Sequence, residues 1–285
     1  MSKQSFRQFS AAIEDIPPIA LGTSRLHDDH CVRVTEMAIN RGFRIIDTAS
    51  SYKNEREVAR GIAASGIERT KLFLITKIHL NAMKYKDAIN EMERVLTLFQ
   101  TDYLDLLLIH WPCPSVSLRE TLAALDYLHD NGWIRFYGVS NFPLSYLEYA
   151  RALTDNLMVA QTEHHPFFKD NKLFDFAARE GMFVMSYRPT ARGEASAHPV
   201  IADIARQYDV TPHQVILKWQ MSQRNNIPVC GASSEAHLVE NISACNVPLT
   251  AVDLAGINAI VDTGRTLIRD YAPDWNSAVI PPSWL

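Results

Sequence analysis

The chain has 285 residues, of which 47% are hydrophobic and 21% charged, and its formal net charge is −4. This composition excludes a disordered or low-complexity chain. Basic residues form no continuous block, which argues against nucleic acid as a partner. No run of eighteen apolar residues occurs, and the first residues lack the apolar core of a secretory signal. We therefore expect a cytoplasmic protein with neither a nucleic-acid nor a membrane partner.

The cysteines are too scattered for a disulfide framework or a zinc site. They are Cys31, Cys113, Cys230 and Cys245, with no CxxC pair among them. This spacing is typical of free thiols in a reducing compartment. We expect no metal site, and we expect each thiol to be buried as a small hydrophobic group.

Short aliphatic segments alternate with amphipathic helical segments from about residue 17 to residue 244. The predicted strands end at Thr23, Ala49, Ile78, His110, Asn141, His164, Pro189 and Ser233. The clearest helical spacing between them covers residues 81–100. Thr211 and Pro212 predict the N-cap and first position of a later helix, and a short helical pattern occurs near residues 254–261.

Eight strands in strict alternation with eight helices predict the α/β class and the (β/α)₈ TIM barrel. The length alone would also allow two domains, but no linker composition interrupts the series. We therefore expect a single monomeric domain over residues 1–285, with residues 245–285 as a tail packed on the barrel. A doubly wound dinucleotide-binding sheet is the alternative, but it needs a G-x-G turn, which the sequence lacks.

Catalytic residues of such barrels lie at the C-terminal ends of the strands. Asp47 and Tyr52 follow the second apolar segment, Lys77 the third and His110 the fourth. Singly, each has a structural explanation, such as a turn cap for Asp47. Together they form a functional set: an ammonium favours the tyrosinate, a carboxylate keeps the ammonium charged, and a histidine can hydrogen-bond a carbonyl oxygen. The set predicts protonation of an oxygen that becomes an alkoxide.

Six segments, in order over nearly the whole chain, resemble the aldo-keto reductase family in its bacterial form. They are GFRIIDTASSYKNEREVARGI (42–62), LFLITKI (72–78), DYLDLLLIHWP (102–112), GWIRFYGVSNF (132–142), QTEHHPF (161–167) and IPVCGASSEAHLVENISA (227–244). The resemblance implies an oxidoreductase that reduces aldehydes or ketones, including sugar-like or keto-acid carbonyls, with NADP(H) or NAD(H) as the cofactor. It also implies that Asp47, Tyr52, Lys77 and His110 are the catalytic residues, with Tyr52 as the proton donor.

The resemblance further implies a set of cofactor contacts at the nicotinamide end. They are Gly22, Thr23 and Asp47 near the nicotinamide, Ser140, Asn141 and Gln161 at its carboxamide, and Tyr187 under its ring. At the adenosine end, the positions that match Gly231, Ala232 and His237 hold a Lys-Ser pair and an Arg in many relatives that favour NADPH. These positions precede Glu240 and Asn241, which also match the family's cofactor site.

The sequence has no fixed cation at those adenosine-end positions. Ser233 offers a hydroxyl, and Arg188 and Arg192 are alternative phosphate ligands. A histidine is mostly neutral at pH 7, so His237 is a weak partner for a phosphate. The preference between NADPH and NADH stays open on this reading, and we expect dual or NAD-tolerant use.

The predicted substrate pocket contains Ser24, Tyr52, His110 and Trp111. Many relatives have a tryptophan where Ser24 stands, and the connection before the helix at Leu118 is short, which predicts an open site. The segment RDYAPDWN, with Asn276, resembles the end of bacterial members that act on sugar-like and keto-acid substrates.

Two alternative functions remain at this point. One is a regulatory barrel that binds the cofactor without turnover, although the intact Asp-Tyr-Lys-His set argues against it. The other is a metal-dependent hydrolase that uses Asp47, His110 and His164. The hydrolase would need a His-x-His pair on the first strand, and that strand contains no histidine.

Overall fold

The computed structural model describes residues 3–264 and 279–284. Within this part, eight parallel strands close into a barrel in sequence order. The strands are β1 (Ala20–Gly22), β2 (Ile45–Asp47), β3 (Phe73–Ile78), β4 (Leu104–Ile109), β5 (Ile134–Ser140), β6 (Leu157–Glu163), β7 (Phe183–Tyr187) and β8 (Asn226–Cys230). Because β8 pairs with β1, the barrel has no free edge, and the predicted (β/α)₈ fold is confirmed.

The helices surround the barrel. They are α1 (Lys3–Ile13), α2 (Asp28–Asn40), α3 (Glu55–Ser65), α4 (Tyr85–Phe99), α5 (Leu118–Asp130), α6 (Leu144–Leu153), α7 (Asn171–Arg179), α8 (Pro199–Tyr208), α9 (Pro212–Met221), α10 (Glu235–Ser243) and α11 (Ala251–Asn258). None of these helices is long and apolar enough to cross a membrane.

The predicted strict alternation is wrong in one place, because both α8 and α9 lie between β7 and β8. Helix α1 precedes the barrel and lies before the predicted series of residues 17–244. Helix α8 ends because Asp209 adopts a left-handed φ of 52°. Thr211 then starts α9 with a capping box and a proline in the first turn, as predicted.

Most predicted strands extend one to three residues too far. Asn141 and Arg188 have φ values of 63° and 54°, and these left-handed conformations end the extended ladders of β5 and β7. The thiols also differ slightly from expectation. All four cysteines are free, but Cys245 is only half-buried, whereas the other three are buried.

The barrel interior is filled by side chains from alternate strand positions. Phe9 of α1 closes the N-terminal end, with ring centroids 5.5 Å from Phe73, 4.8 Å from Phe136 and 4.6 Å from Phe183. A larger apolar layer lies between the strands and the helices, and a third cluster joins α8, α9 and α11. The interior is therefore a packed core, and in barrels of this kind the ligand sites lie at the C-terminal ends of the strands.

Candidate active site

The alternation of side chains along each strand brings the predicted polar residues to one rim. On β3, Phe73 and Ile75 belong to the interior cluster, and Lys77 follows at the same two-residue period. Asp47 stands at the end of β2, in register with Ile75. Since neighbouring parallel strands end at the same side of the barrel, Asp47 and Lys77 meet above the apolar interior.

A buried ion pair forms the centre of the site. Lys77 Nζ donates to Asp47 Oδ1 at 2.6 Å and to the backbone oxygen of Thr48 at 2.9 Å. Lys77 and Asp47 are only 1% and 2% exposed. Burial disfavours the ammonium, but the Asp47 carboxylate and then Tyr52 outweigh burial, so the pKa of Lys77 lies above its ordinary value. The lysine is therefore a cation at neutral pH.

Tyr52 brings its hydroxyl to this cation. It ends a short 3₁₀ turn, Ser50–Tyr52, that follows β2 and closes with Lys53 at a φ of 57°. Lys77 Nζ donates to the Tyr52 hydroxyl oxygen at 3.4 Å. The tyrosine is half-buried, so part of it is accessible to solvent beside the buried charge.

His110 lies beside Tyr52, with ring centroids 5.6 Å apart and planes at 82°. Its backbone N–H donates to Ile78 at 3.0 Å, which continues the β3–β4 pairing by one bond. Its Nδ1 is 3.1 Å from the hydroxyl oxygen of Ser51, and the ring of His79 is 6.3 Å away. Neither Ser51 nor His79 was predicted. Ser51 precedes Tyr52 in the sequence, and His79 follows Lys77 at the strand period.

The residues matched to the nicotinamide contacts are also together. Gln161 Nε2 donates to Asp47 Oδ2 at 2.8 Å, and the Tyr187 hydroxyl donates to Asn141 Oδ1 at 2.6 Å. Asn141 Nδ2 donates to the Ser140 hydroxyl at 3.0 Å and to the His110 backbone oxygen at 2.9 Å. One hydrogen-bonded network therefore joins the ends of β4, β5 and β7.

Gly22 and Thr23 complete this side of the rim. A Cβ at Gly22 would lie 2.9 Å from Val229 Cγ1, so a larger residue would force β1 away from β8. The Thr23 hydroxyl donates to the backbone oxygen of Asp47 at 3.0 Å. Ser24 is exposed just beyond them, and Trp111 is 3% exposed, so most of its ring packs against protein. Helix α5 begins at Leu118, which confirms the short connection after β4.

The positions matched to the adenosine end form a separate group after β8. A Cβ at Gly231 would meet no atom within 4 Å, whereas Ala232 is buried. Asn241 Nδ2 donates to the Gly231 backbone oxygen at 3.2 Å, and His237 Nδ1 lies 3.2 Å from the Ser233 hydroxyl.

The N-cap of helix α9, Thr211, and its residue His213 reach the same group. The Thr211 hydroxyl donates to Glu240 at 2.6 Å, and His213 Nε2 lies 2.7 Å from Asn241 Oδ1. His213 was not predicted as a site residue, because the segment 211–219 signals only a helix start and an apolar face. The contact with Asn241 arises from the packing of α9 against α10.

Positive charge gathers after β7. Arg188 is half-buried, and burial together with the neighbouring charge of Arg192 lowers its pKa below the ordinary value for arginine. Arg25 of the β1–α2 connection adds a further like charge. Arg192 is exposed, with a φ of 63°. These arginines stand at the same rim as Tyr187.

The hydrolase alternative does not fit this geometry. His164 packs between the rings of Phe174 and Trp219, at centroid distances of 4.5 and 5.0 Å, on the helix side of the barrel. Asp47 is engaged by Lys77. Among the described residues, no group of three or more potential metal ligands occurs. Residues 269–276, including Asn276, lie outside the described residues.

A closed (β/α)₈ barrel whose rim holds a buried Asp-Lys pair, a tyrosine hydroxyl and a histidine defines a class of barrel oxidoreductases. The sequence profile described as the Aldo/keto reductase family matches residues 18–262, and the chain belongs to this family. It is therefore an NAD(P)-dependent oxidoreductase that reduces carbonyl groups to alcohols, and neither alternative function is supported.

Individual relatives are similar to this chain along nearly their whole length. Methylglyoxal reductase DkgB of Escherichia coli O157:H7 is 35% identical over 266 residues, which cover 92% of this chain and 99% of the relative. An aldo-keto reductase of Mycolicibacterium paratuberculosis is 35% identical over 261 residues, 90% of this chain and 92% of the relative. The crystal structure of an aldo/keto reductase from Brucella melitensis has a TM-score of 0.81 at 29% identity, and the match covers 86% and 94% of the two chains.

Proposed function

We propose that Tyr52 is the proton donor of a carbonyl reduction in which Lys77, Asp47 and His110 assist it. The supporting observation is the contact of Lys77 Nζ with both the Tyr52 hydroxyl, at 3.4 Å, and Asp47, at 2.6 Å, in a buried setting. A fixed cation there stabilises the negative charge that develops on the tyrosine oxygen as its proton leaves. Asp47 keeps this cation in place and compensates its burial.

His110 orients the carbonyl oxygen toward Tyr52 in this proposal. Its ring stands at the edge of the Tyr52 ring, and the Ser51 hydroxyl lies 3.1 Å from Nδ1, which orients the imidazole beside the tyrosine hydroxyl. When bound, reduced nicotinamide supplies the hydride for the carbonyl carbon. The proton from Tyr52 goes to the oxygen, so the product is the alcohol.

The residues matched to the nicotinamide contacts suit the binding of a nicotinamide. Ser140 and Gln161 present hydroxyl and amide oxygens at adjacent strand ends, and Tyr187 offers a half-buried aromatic face. We infer that these residues bind the carboxamide and the ring. Asn141 holds these residues in position, since its amide is engaged by His110, Ser140 and Tyr187.

We propose that the enzyme uses NADH as well as NADPH. Gly231 and Ala232 carry no charge, and His237 contacts Ser233, so the adenosine end has no fixed cation at the matched positions. Arg188 and Arg192 are proposed to reach the pyrophosphate or the ribose phosphate from the β7 side, and Glu240 and Asn241 to border the adenine. Values of kcat/KM with NADH and NADPH test this: a preference for NADPH above about a hundredfold contradicts it.

We propose small carbonyl compounds as substrates, with 2-oxoaldehydes as the first class to assay. DkgB, at 35% identity, is named for methylglyoxal reduction. The short β4–α5 connection and the exposed Ser24 support an open pocket with broad selectivity. A panel that includes methylglyoxal, aldoses and 2-keto sugar acids, followed by NAD(P)H absorbance, identifies the preferred class.

Replacement of Tyr52 by phenylalanine tests the mechanism. Tyr52→Phe is expected to lower kcat by roughly 10²- to 10⁴-fold while the folded state persists, because only the donated proton and its hydroxyl are lost. Tyr127→Phe is the matched control, because this tyrosine is 41% exposed on α5. Unchanged aldehyde reduction by Tyr52→Phe would contradict the mechanism.

We further infer one domain that works as a cytoplasmic monomer, in which the described part of the predicted tail, residues 245–264 and 279–284, packs on the barrel. Contacts of α11 with α8 support the packing, and the free thiols suit a reducing compartment. Size-exclusion chromatography with light scattering tests the monomer.

A further inference from the structure

The last described residues of the chain, 279–284, pack against the active-site end of the barrel and are called here the C-terminal clamp. Its Trp284 is 1% exposed. The indole stacks on Phe142 with centroids 5.8 Å apart and planes at 24°, and on Tyr149 at 6.3 Å and 15°. Tyr146 contacts it at 4.9 Å. Burial of an indole among three aromatic rings fixes this segment firmly.

Hydrogen bonds join the clamp to the loop that follows β4. Trp284 Nε1 donates to the backbone oxygen of Cys113 at 3.0 Å, and the Ser283 hydroxyl donates to that of Pro114. On the other side, the Tyr149 hydroxyl donates to the backbone oxygen of Trp284. The clamp therefore bridges the β4–α5 loop and helix α6.

Both bridged segments lead directly to His110. Cys113 lies three residues after His110 in the same loop, and Phe142 directly follows Asn141. Asn141 Nδ2 donates to the backbone oxygen of His110 at 2.9 Å. The two segments are therefore joined twice. Asn141 joins them through its bond to His110, and Trp284 joins them through its contacts with Cys113 and Phe142.

The loop itself has little regular structure to hold it. Strand β4 ends at Ile109 and α5 begins at Leu118, and the intervening residues 110–117 have few backbone bonds, among them His110 to Ile78 and Val116 to Cys113, so side-chain contacts add to their positioning. A buried indole N–H needs an acceptor, and its bond to Cys113 fixes the loop at a defined distance from α6. A ring without the N–H would fill the space but remove the bond to Cys113, leaving the Ser283 bond to Pro114 as the remaining hydrogen bond, among the described residues, between the clamp and the loop.

We propose that Trp284 is a positioning residue for carbonyl reduction, because it holds the β4–α5 loop and Asn141 so that His110 keeps its orientation beside Tyr52. The proposal rests on the proposed role of His110, because Trp284 is expected to affect the reaction only through the position of His110.

A double-mutant cycle with methylglyoxal as the substrate tests the proposal. Trp284→Ala is expected to lower kcat/KM about tenfold in the native background and less than about twofold in a His110→Gln background, because positioning has no value once the positioned group is gone. Trp284→Phe, which keeps the stacked ring but loses the N–H, is expected to recover part of the loss. The dissociation constants of NADPH and NADH, measured by calorimetry, should change less than about twofold.

Two further variants separate positioning from simple loss of stability. Phe9→Leu destabilises the opposite end of the barrel and is expected to leave kcat/KM unchanged at temperatures well below its Tm. If Trp284→Ala does not fold, Trp284→Phe and Tyr149→Phe carry the same cycle, since each removes one hydrogen bond of the clamp.

The outcomes distinguish the two proposals. Equal effects of the Trp284 variants in both backgrounds would overturn the positioning role, as would an equal loss from Phe9→Leu. If His110→Gln alone left kcat/KM unchanged, the proposed role of His110 would fail first, and the positioning role with it.

Discussion

The two ends of the barrel are built from the same inward-facing strand positions but differ in chemistry. At the N-terminal end, Phe9 packs on Phe73 and its neighbours in an apolar cluster. Four residues further along β3, Lys77 is equally buried but charged and paired with Asp47. One strand therefore runs from an apolar plug to a buried ion pair.

This difference separates the source of stability from the source of reactivity. Burial of aromatic rings stabilises the fold by roughly 25 cal/mol per Å² of apolar surface. Burial of Lys77 and Asp47 is costly, and it is tolerated because each charge has hydrogen-bonded partners. The pair supplies a fixed electrostatic field beside the Tyr52 hydroxyl, which a solvated pair would not supply.

Replacement of Lys77 should produce the largest effect, because it should lower both the stability of the fold and the rate of the reaction. Lys77→Met leaves the Asp47 carboxylate buried without its cation, so we expect the free energy of unfolding to fall by about 3–5 kcal/mol and kcat by more than about 10²-fold. Chemical denaturation and steady-state kinetics measure the two. Lys71→Met is the control, since Lys71 is exposed and pairs with an exposed Glu68. Retained activity in Lys77→Met would contradict the assigned role.

Replacement of Phe9 should affect the opposite end only. Phe9→Ala opens a cavity at the N-terminal end of the barrel and is expected to lower the free energy of unfolding by about 3–5 kcal/mol. Measured well below the new Tm, kcat/KM should equal that of the native enzyme. Phe6→Ala, at a half-buried ring stacked on Phe183, should cost less stability. A fall in kcat/KM for Phe9→Ala would show that the two ends are coupled.

Removal of the Ser51 hydroxyl should have a smaller effect, confined to the active-site end. Ser51→Ala takes away the group 3.1 Å from His110 Nδ1, so the imidazole loses a constraint on its orientation and tautomer. We expect kcat/KM to fall by roughly 3- to 10-fold, the equivalent of one modest hydrogen bond. Ser243→Ala, whose hydroxyl donates to the backbone oxygen of Val239 within α10, serves as the control. Identical kinetics for both variants would remove Ser51 from the mechanism.

The smallest expected effect concerns the pH dependence of stability at the adenosine end. Burial lowers the pKa of His213 below its ordinary value of 6.5, although Glu240 partly opposes this. The unfolded chain then binds a proton at a higher pH than the folded chain does. The contribution of His213 is therefore complete above pH 6.5 and is lost as the pH falls toward its folded-state pKa.

His213→Gln should remove this dependence while an amide still faces Asn241. Between pH 7 and 5, the slope of the unfolding free energy should fall by less than about 1.4 kcal/mol per pH unit, the limit for one proton. His129→Gln is the control, because the His129 side chain is 37% exposed. Equal slopes in the two variants would contradict the assignment.

The sequence alone determined the barrel and the centre of its site. Apolar segments of β type that alternate with helical spacing admit few architectures, and the strand period places Asp47 and Lys77 on the inward face. These are local properties, carried by residues a few positions apart. The matched segments around Tyr52 and His110 then assigned the chain to its family, which the family profile over residues 18–262 confirms.

Only the tertiary structure decided the contacts between distant segments. Three contacts join residues that are far apart in the chain. They are the packing of Phe9 at the N-terminal end of the barrel, the hydrogen bond between His213 and Asn241, and the hydrogen bond from Trp284 to Cys113. No local pattern reports them, because an amphipathic helix or a terminal tryptophan packs equally well on many apolar surfaces. Closure of the barrel selects one surface for each, and that closure is a property of all eight strands together.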